Sequence, residues 1–382
     1  MLCVCKKGIV ACVQDRVEEG RPARLAEKMN EVTEQLLTFM QQGQSVVLAT
    51  IIRVQGSAYR REGAKMLIIG DDQFFGTLSA GCLEGDILYR AKNLFRESGA
   101  RLHTYHLASE TDEGWGMGSG CNGVIDVLLE RIDWFEETPE SQVWSRMISE
   151  VGRGRAVHFV RRMEVPAHTV IDELGISIHM STIMLDADEQ TQGSLGEVAL
   201  DQEWEQRLLR FAEFKEKSHM EVAPESMYFL DHLAPQSVAY VFGAGPDARP
   251  LVALLAQVGF RVTVVDPRSA YLQPHFFPQA TELLELQPSV AEGHLTLKED
   301  SYAFIMTHSF KWDVDWVRFL RKQRPAYLGI LGPRTRTQRL FAPDSVPGYV
   351  RSPIGVAIAA EGPNEIAVSI VAQVVQHRRN AD

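Results

Sequence analysis

At 382 residues the chain is long enough for two domains, and its 45% hydrophobic and 23% charged residues are the balance of an ordinary globular protein. A formal net charge of −11 argues against a nucleic-acid partner, because phosphate backbones are bound by basic faces. No apolar run nears the roughly 20 residues of a membrane span, and the run from Gly8 to Val13 is too short for a signal-peptide core, so a cytoplasmic location is expected.

Residues 1–28 mix charge, Gly and Pro without a sustained period and read as a detached extension. Leu36, Leu37 and Met40 then mark one helical face that stops at Gly43. Val46 to Val54 is a β-prone run, followed by a glycine-bounded loop, residues 55–63, that carries Arg60 and Arg61. Lys65 to Ile69 and Phe74 to Leu78 predict a hairpin around Gly70-Asp-Asp72. Leu83, Ile87, Leu88, Ala91, Leu94 and Phe95 share a helical stripe, which places Cys82 in the first turn of that helix. Leu102 to Leu107 and Val124 to Leu129 are the next strands. Between them, five glycines fall within residues 114–123, a density that implies left-handed backbone or close approach to a ligand.

The segment 136–236 reads as a connecting region. A helix is expected over Trp134 to Gly152. Strands are expected at Val157 to Arg161, Ile176 to Leu185 and Met227 to His232. An amphipathic helix over Glu203 to Lys215 is placed as a link between domains, and Leu233-Ala-Pro235 as the joint.

From Ser237 the pattern changes. Val238 to Phe242 is a strand; Gly243, Gly245 and Ala248 form G-x-G-x-x-A; a helix follows, capped by Gly259; and a second strand, Arg261 to Val265, ends at Asp266. Gly243 permits a tight turn, Gly245 lets backbone approach a phosphate, and the helix N-terminus offers N–H groups to an anion. Asp266 stands where a carboxylate accepts from a ribose hydroxyl. Strands at Tyr302 to Met306 and Ala326 to Leu331 alternate with helices at Trp312 to Lys322 and Pro363 to His377. The expected fold is therefore α/β: an N-terminal α+β domain over residues 29–135, then a Rossmann-like doubly wound parallel-sheet domain over residues 237–382.

Ligands on such a sheet bind beyond the carboxyl ends of its strands. That edge gathers His308, Asp313 and a basic loop with Arg334, Arg336 and Arg339, suited to phosphate oxygens or simply to solvent. Asp313 either orients His308 or caps its helix. Of the five cysteines, Cys3, Cys5, Cys12, Cys82 and Cys121, the last two sit in glycine-flanked turns outside any apolar stripe. A sparse odd set suggests free thiols. The helix start favours a thiolate at Cys82 by about 0.3–1 kcal/mol, and Glu84 opposes it by a similar amount. Both thiols are thus expected to be accessible rather than strongly activated.

The segments GSAYRREGAKM, GTLSAGCLEGDI and GSGCNGVIDVLLE resemble the N-terminal domain of the XdhC/CoxI family. VFGAGPDARPL, VTVVDPRSAY, MTHSFKWDVDW, YLGILGPRTRTQRL and SPIGVAIAAEGPNEIAVSIVAQVV resemble its C-terminal Rossmann domain, in the same order. Ala80 and Tyr59 depart from the common pattern, where glycine and proline are usual. The resemblance implies an accessory factor, a maturation protein more than an enzyme, that binds the molybdenum cofactor, supports its sulfuration by a cysteine desulfurase and inserts it into a xanthine dehydrogenase-type hydroxylase. It further implies a homodimer. By the same resemblance Cys121 is a contact to the metal, and Cys82 a second cofactor contact. Gly243, Gly245, Asp266, His308 and Arg334 are the cofactor-binding candidates of the Rossmann edge. The rival readings are an NAD(P)-dependent oxidoreductase, or a xanthine dehydrogenase subunit, that uses the Rossmann domain, with His308 as acid or base, and a purely nucleotide-sensing or scaffold subunit.

Overall fold

The computed structural model describes residues 31–70, 73–97, 99–107, 123–165, 169–172 and 174–380. The first sheet is built by β1 (Val46–Gln55), β2 (Lys65–Ile69), β3 (Gln73–Gly76), β4 (Ala100–His106), β5 (Val124–Ile132) and, further along the chain, β7 (Ile176–Ile178). Its order is β3-β2-β1-β5-β4-β7, with antiparallel pairings throughout. Alternation along β1 sends Val47, Ala49 and Ile51 to one face and Val46 and Leu48 to the other. The first face is covered by Leu83 and by α2 (Glu84–Glu97) through Ile87, Ala91 and Leu94. The second meets α1 (Glu31–Gln42) and α3 (Pro139–Gly152).

A second antiparallel sheet, in the order β10-β11-β6-β8-β9, uses β6 (Val157–Met163), β8 (Met180–Leu185), β9 (Thr191–Gly193), β10 (His219–Val222) and β11 (Met227–Leu233). The continuous strand expected over Ile176 to Leu185 is in fact two. Residues 176–178 pair with β4 and residues 180–185 with β6, so the chain changes sheets at His179. Apolar period alone cannot reveal such a change of partner. The helix expected as a link is α4 (Val198–Glu213), which lies on the second sheet through Trp204, Leu208 and Phe211. α3 begins later than expected, at Pro139, because Thr138 accepts from the Ser141 N–H as its N-cap and Pro139 suits the first turn.

Beyond Ser237 every pairing is parallel. The strands are β12 (Val238–Phe242), β13 (Arg261–Asp266), β14 (Glu282–Glu285), β15 (Tyr302–Ile305), β16 (Tyr327–Ile330) and β17 (Val350–Arg351), in the order β14-β13-β12-β15-β16-β17. Counted from β12 this is 3-2-1-4-5-6, the doubly wound order of a Rossmann sheet. Val241, Val264 and Phe304 face α5 (Ala248–Gln257) and α8 (Gly362–Asn380). Their neighbours Phe242, Val265 and Ile305 face α6 (Phe310–Gln323) and α7 (Arg334–Phe341). Burial on both faces explains why these strands read as continuous apolar runs. The expected basic loop after Gly332 is mostly helix α7, because Thr337, Leu340 and Phe341 recur at helical spacing and are buried.

The two parts of the chain meet at the amino edge of the parallel sheet. Lys298 Nζ donates to Gly154 O at 3.0 Å. A cavity beside this contact is lined by Leu37, Val151, Gly154, Val238, Arg261 and Lys298 among others. Among the described residues the apolar clusters do not cross this seam: four lie wholly before residue 234 and two wholly after residue 238.

Candidate functional site

In the order 3-2-1-4-5-6 the sheet reverses between β12 and β15, and a crevice opens outside their carboxyl ends. The turn leaving β12 and the turn leaving β15 touch there. Gly243 has φ +117, and a Cβ at that position would stand 2.4 Å from Met306 O, so only glycine fits. Opposite it, His308 is a non-glycine residue with φ +57. Its Nε2 lies 2.7 Å from Asp247 Oδ2, and the ring is largely exposed. Asp247 precedes α5, and its other oxygen would be 2.6 Å from a Cβ on Gly245. Sequence reasoning misses Asp247 as a site residue, although it lies in the G-x-G-P-D stretch itself.

The crevice therefore offers an anion the backbone of a glycine turn and a helix start, but also a carboxylate held by an imidazole. Pro246 supplies no N–H, and the Ala244 N–H is already taken by Asp266 Oδ2 at 2.8 Å. Asp266 itself is fully buried. Its Oδ1 accepts from the Arg268 N–H at 2.9 Å and from Arg268 Nε at 2.8 Å, and its Oδ2 also accepts from Arg268 Nη2 at 2.8 Å. Burial works against its ionisation, yet the bonds from Arg268 and Ala244 hold its carboxyl below the usual range. In this geometry Asp266 braces the glycine turn rather than presenting an acceptor to a ribose. The Arg268 guanidinium is stacked on Tyr271, 4.0 Å from the ring centre, and lies 5.3 Å from that of Trp312.

Asp313 does not reach His308. It is buried, and it accepts from Thr307 Oγ1 and from Arg336 Nη1 through short bonds. Ser309 is the N-cap of α6. Arg336 is thus committed to α6, and Arg339 lies over the Phe310 ring at 4.9 Å. Arg334 stays exposed in the first turn of α7, with no side-chain partner among the described residues.

In the other part of the chain, α2 begins at Glu84, so Cys82 lies just ahead of the first turn rather than within it. Two side chains set that start. Ser79 Oγ accepts from the Gly81 and Leu83 N–H groups, both at 3.1 Å. The Glu84 carboxylate turns back and accepts from Thr77 Oγ1, Ser79 Oγ and the Leu78 and Ser79 N–H groups. Burial opposes ionisation of Glu84, but the bonds from Ser79 and Thr77 prevail and hold its carboxyl below the usual range. Cys82 is half-buried, and the space beside Gly81 is open. Cys121 lies outside the described residues. The ends of its segment are on view: the Leu107 N–H donates to Gly123 O at 2.8 Å, and a Cβ on Gly123 would stand 2.5 Å from Ser57 O. Leu107, Leu83, Leu78 and Ala58 pack in one apolar cluster. The 55–63 loop, the Cys82 turn and the two ends of the glycine-dense segment therefore share one end of the first sheet.

The carboxyl edge of the parallel sheet faces away from the seam, since the seam is formed at Val238 and Arg261, where β12 and β13 begin. Among the described residues no apolar cluster or hydrogen bond joins the Cys82 turn and the glycine turn into one cleft. Nor does any group of three or more His, Cys, Asp or Glu among the described residues have the arrangement of a metal site. No helix among them is long and apolar enough to cross a membrane.

Comparison with known proteins matches two family models in order: the XdhC and CoxI family over residues 39–106, and the XdhC Rossmann domain over residues 239–374. A Bacillus subtilis protein named as a probable xanthine dehydrogenase subunit is 34% identical over 336 residues, covering 88% of this chain and 94% of that protein. An uncharacterized Escherichia coli protein, YqeB, is 30% identical over 149 residues, 37% of this chain and 27% of its own length. A crystal structure described as a xanthine dehydrogenase from Bacillus halodurans superposes with a TM-score of 0.74 at 34% identity, covering 92% of this chain and 96% of that one. With two family models matched in order and a relative aligned over nearly its whole length, the chain belongs to the XdhC/CoxI family.

Proposed function

We propose that the protein binds the molybdenum cofactor, supports its sulfuration and passes it to a xanthine dehydrogenase-type hydroxylase. The observation that carries this reading is the full-length likeness to a protein named for xanthine dehydrogenase, in a family defined by both halves of the chain. The residues on view suit such a group in part. A cofactor whose metal arrives with its own sulfur ligands asks at most one soft donor of the protein. Half-buried Cys82, beside open space at Gly81, is such a donor, and Cys121 is assigned the same role from the family pattern. The glycine turn at Gly243 and Gly245, with His308 and exposed Arg334 nearby in the sheet edge, is assigned the phosphate. When bound, the cofactor would bring a metal able to exchange an oxo ligand for sulfur. This chain would hold it, shield it and release it to the hydroxylase after exchange by a cysteine desulfurase, most simply as a homodimer.

The names of the relatives favour a second reading, in which the protein is a resident component of the hydroxylase. A nicotinamide-dependent oxidoreductase has less support, because Asp266 is spent on Ala244 and Arg268. The test is purification from cells that make the cofactor, followed by metal analysis and fluorescence of the oxidised pterin. Near-stoichiometric molybdenum and pterin, lost in Cys121→Ala and reduced in Cys82→Ala, is the expected result. Protein free of both, or a stable stoichiometric complex with the hydroxylase throughout turnover, would overturn the carrier reading. Reduction of NAD(P) by the purified chain with a purine would favour the oxidoreductase.

A further inference from the structure

We infer that Arg268 is a specificity residue, by which the end of β13 reads a second anionic group on the ligand in place of a ribose hydroxyl. The inference rests on taking the β12 turn as a phosphate cradle, and it adds what lies next to that phosphate. In a doubly wound sheet this strand end carries the acid that accepts from a ribose diol. Here that acid has no such freedom. Asp266 is fully buried, and both of its oxygens are held by Ala244 and Arg268. Its charge is offset by a guanidinium in bidentate contact, so it no longer repels an anion.

Arg268, by contrast, retains donor capacity. Nε and Nη2 serve Asp266, while Nη1 has no hydrogen-bond partner among the described residues, and the side chain is 37% exposed. Stacking on Tyr271 and the nearness of Trp312 hold the guanidinium plane in place. Arg268 Nη2 and the Ala244 N–H share the same Asp266 oxygen, each at 2.8 Å. The guanidinium is therefore no more than two hydrogen-bond lengths from the glycine turn. A phosphate on that turn and a second anion on Nη1 would lie side by side, as in a pyrophosphate or in a sugar that carries its own phosphate. A planar fork matched to phosphate oxygens is the residue type for that contact. A lone hydroxyl would find no acceptor at Asp266 without breaking a bidentate ion pair.

Calorimetric titration of the full-length protein tests this with four probes. These are adenosine 5′-monophosphate, its 2′-deoxy analogue, adenosine 5′-diphosphate and adenosine 2′,5′-bisphosphate. The first two are expected to bind alike, because the hydroxyl is not read. At least one doubly phosphorylated probe is expected to bind about tenfold more tightly. That gain, read as the ratio of the two affinities within each protein, should vanish in Arg268→Lys, whose ammonium still offsets Asp266 but has no planar fork left to offer a second anion. A gain confined to the 5′-diphosphate identifies the second anion as part of a pyrophosphate; a gain confined to the 2′,5′-bisphosphate identifies it as a sugar phosphate. A monophosphate that binds several-fold more tightly than its deoxy analogue, or no gain from either second phosphate, overturns the inference. So does a gain whose ratio survives in Arg268→Lys. Monophosphate binding that persists in those cases leaves the phosphate cradle standing, so the two ideas fail separately.

Discussion

Glu84 shows how one side chain fixes the surroundings of a functional candidate. The stripe from Leu83 to Phe95 made α2 legible, but the start of the helix depends on a carboxylate that folds back onto Thr77, Leu78 and Ser79. Glu84→Ala strands several donors in a buried turn, and each group left without a partner costs about 1–3 kcal/mol. The expected net loss in urea unfolding is about 3 kcal/mol, with a smaller loss in Glu84→Gln, whose amide oxygen still accepts. The turn that carries Cys82 should loosen as well, so alkylation of Cys82 is expected to accelerate in Glu84→Ala. An unchanged rate and an unchanged midpoint would show that the turn is held by its apolar contacts alone. His158 is a second residue whose behaviour follows from its setting. Burial first, and then His232 across the ladder, push it down to about 4 from 6.5, against a smaller opposing pull from Asp231. Phe211 meets its ring edge-on at 5.8 Å. Between those two pH values the unfolded chain binds a proton that the folded chain refuses. Stability is therefore fully present above pH 6.5 and declines as pH falls towards 4, by up to about 3 kcal/mol. Denaturant midpoints measured across this range should fall more steeply for the wild type than for His158→Gln.

At the scale of elements, legibility followed periodicity. The β12–α5–β13 unit was readable because strand, glycine turn, helix and terminal acid lie in one continuous stretch. Its function in detail was not, because the partner of Asp266 is Arg268 and the partner of His308 is Asp247, 61 residues away in the chain. The middle segment was the least legible. Ile176 to Leu185 mixes apolar residues with Ser177, His179, Ser181 and Thr182 and carries no turn signal at His179, so only the competition between β4 and β6 as partners divides it. α7 was masked by its charge: three arginines in its eight residues suggested a loop, while its burial rests on Thr337, Leu340 and Phe341. The switch point itself yields a sharp expectation. Gly243→Ala asks an L-residue to hold φ +117 with a Cβ 2.4 Å from Met306 O. Neither turn can move without disturbing the pairing of β12 with β15. The variant should lose about 3 kcal/mol or more of stability in the parallel-sheet region. Gly81→Ala meets nothing within contact distance and should lose less, since only its φ of +108 opposes the substitution. Urea unfolding of the two variants side by side separates steric overlap from backbone strain.

At the scale of the whole molecule, the chain divides its core at Ser237. Among the described residues every apolar cluster falls on one side, and both clusters of the parallel sheet are closed by helices from that same side. The seam adds a bond from Lys298 to the Gly154 carbonyl and a small cavity, not a shared core. Cooperative unfolding follows the continuity of packing, so two transitions are expected rather than one. A fragment spanning residues 237–382 has the size and the closed core of an independent domain. It should fold alone, with a midpoint within a few degrees of one of the two transitions of the intact protein, and should keep whatever phosphate affinity the β12 turn possesses. Lys298→Ala should leave both midpoints nearly unchanged, because an exposed amine on one carbonyl contributes about 1 kcal/mol at most. A fragment without a cooperative transition, or a single transition in the intact chain that Lys298→Ala shifts as a whole, would mean that the seam couples the two parts. In that event the two parts would fold as one unit, and a ligand bound at the glycine turn would stabilise the Cys82 end of the first sheet as well.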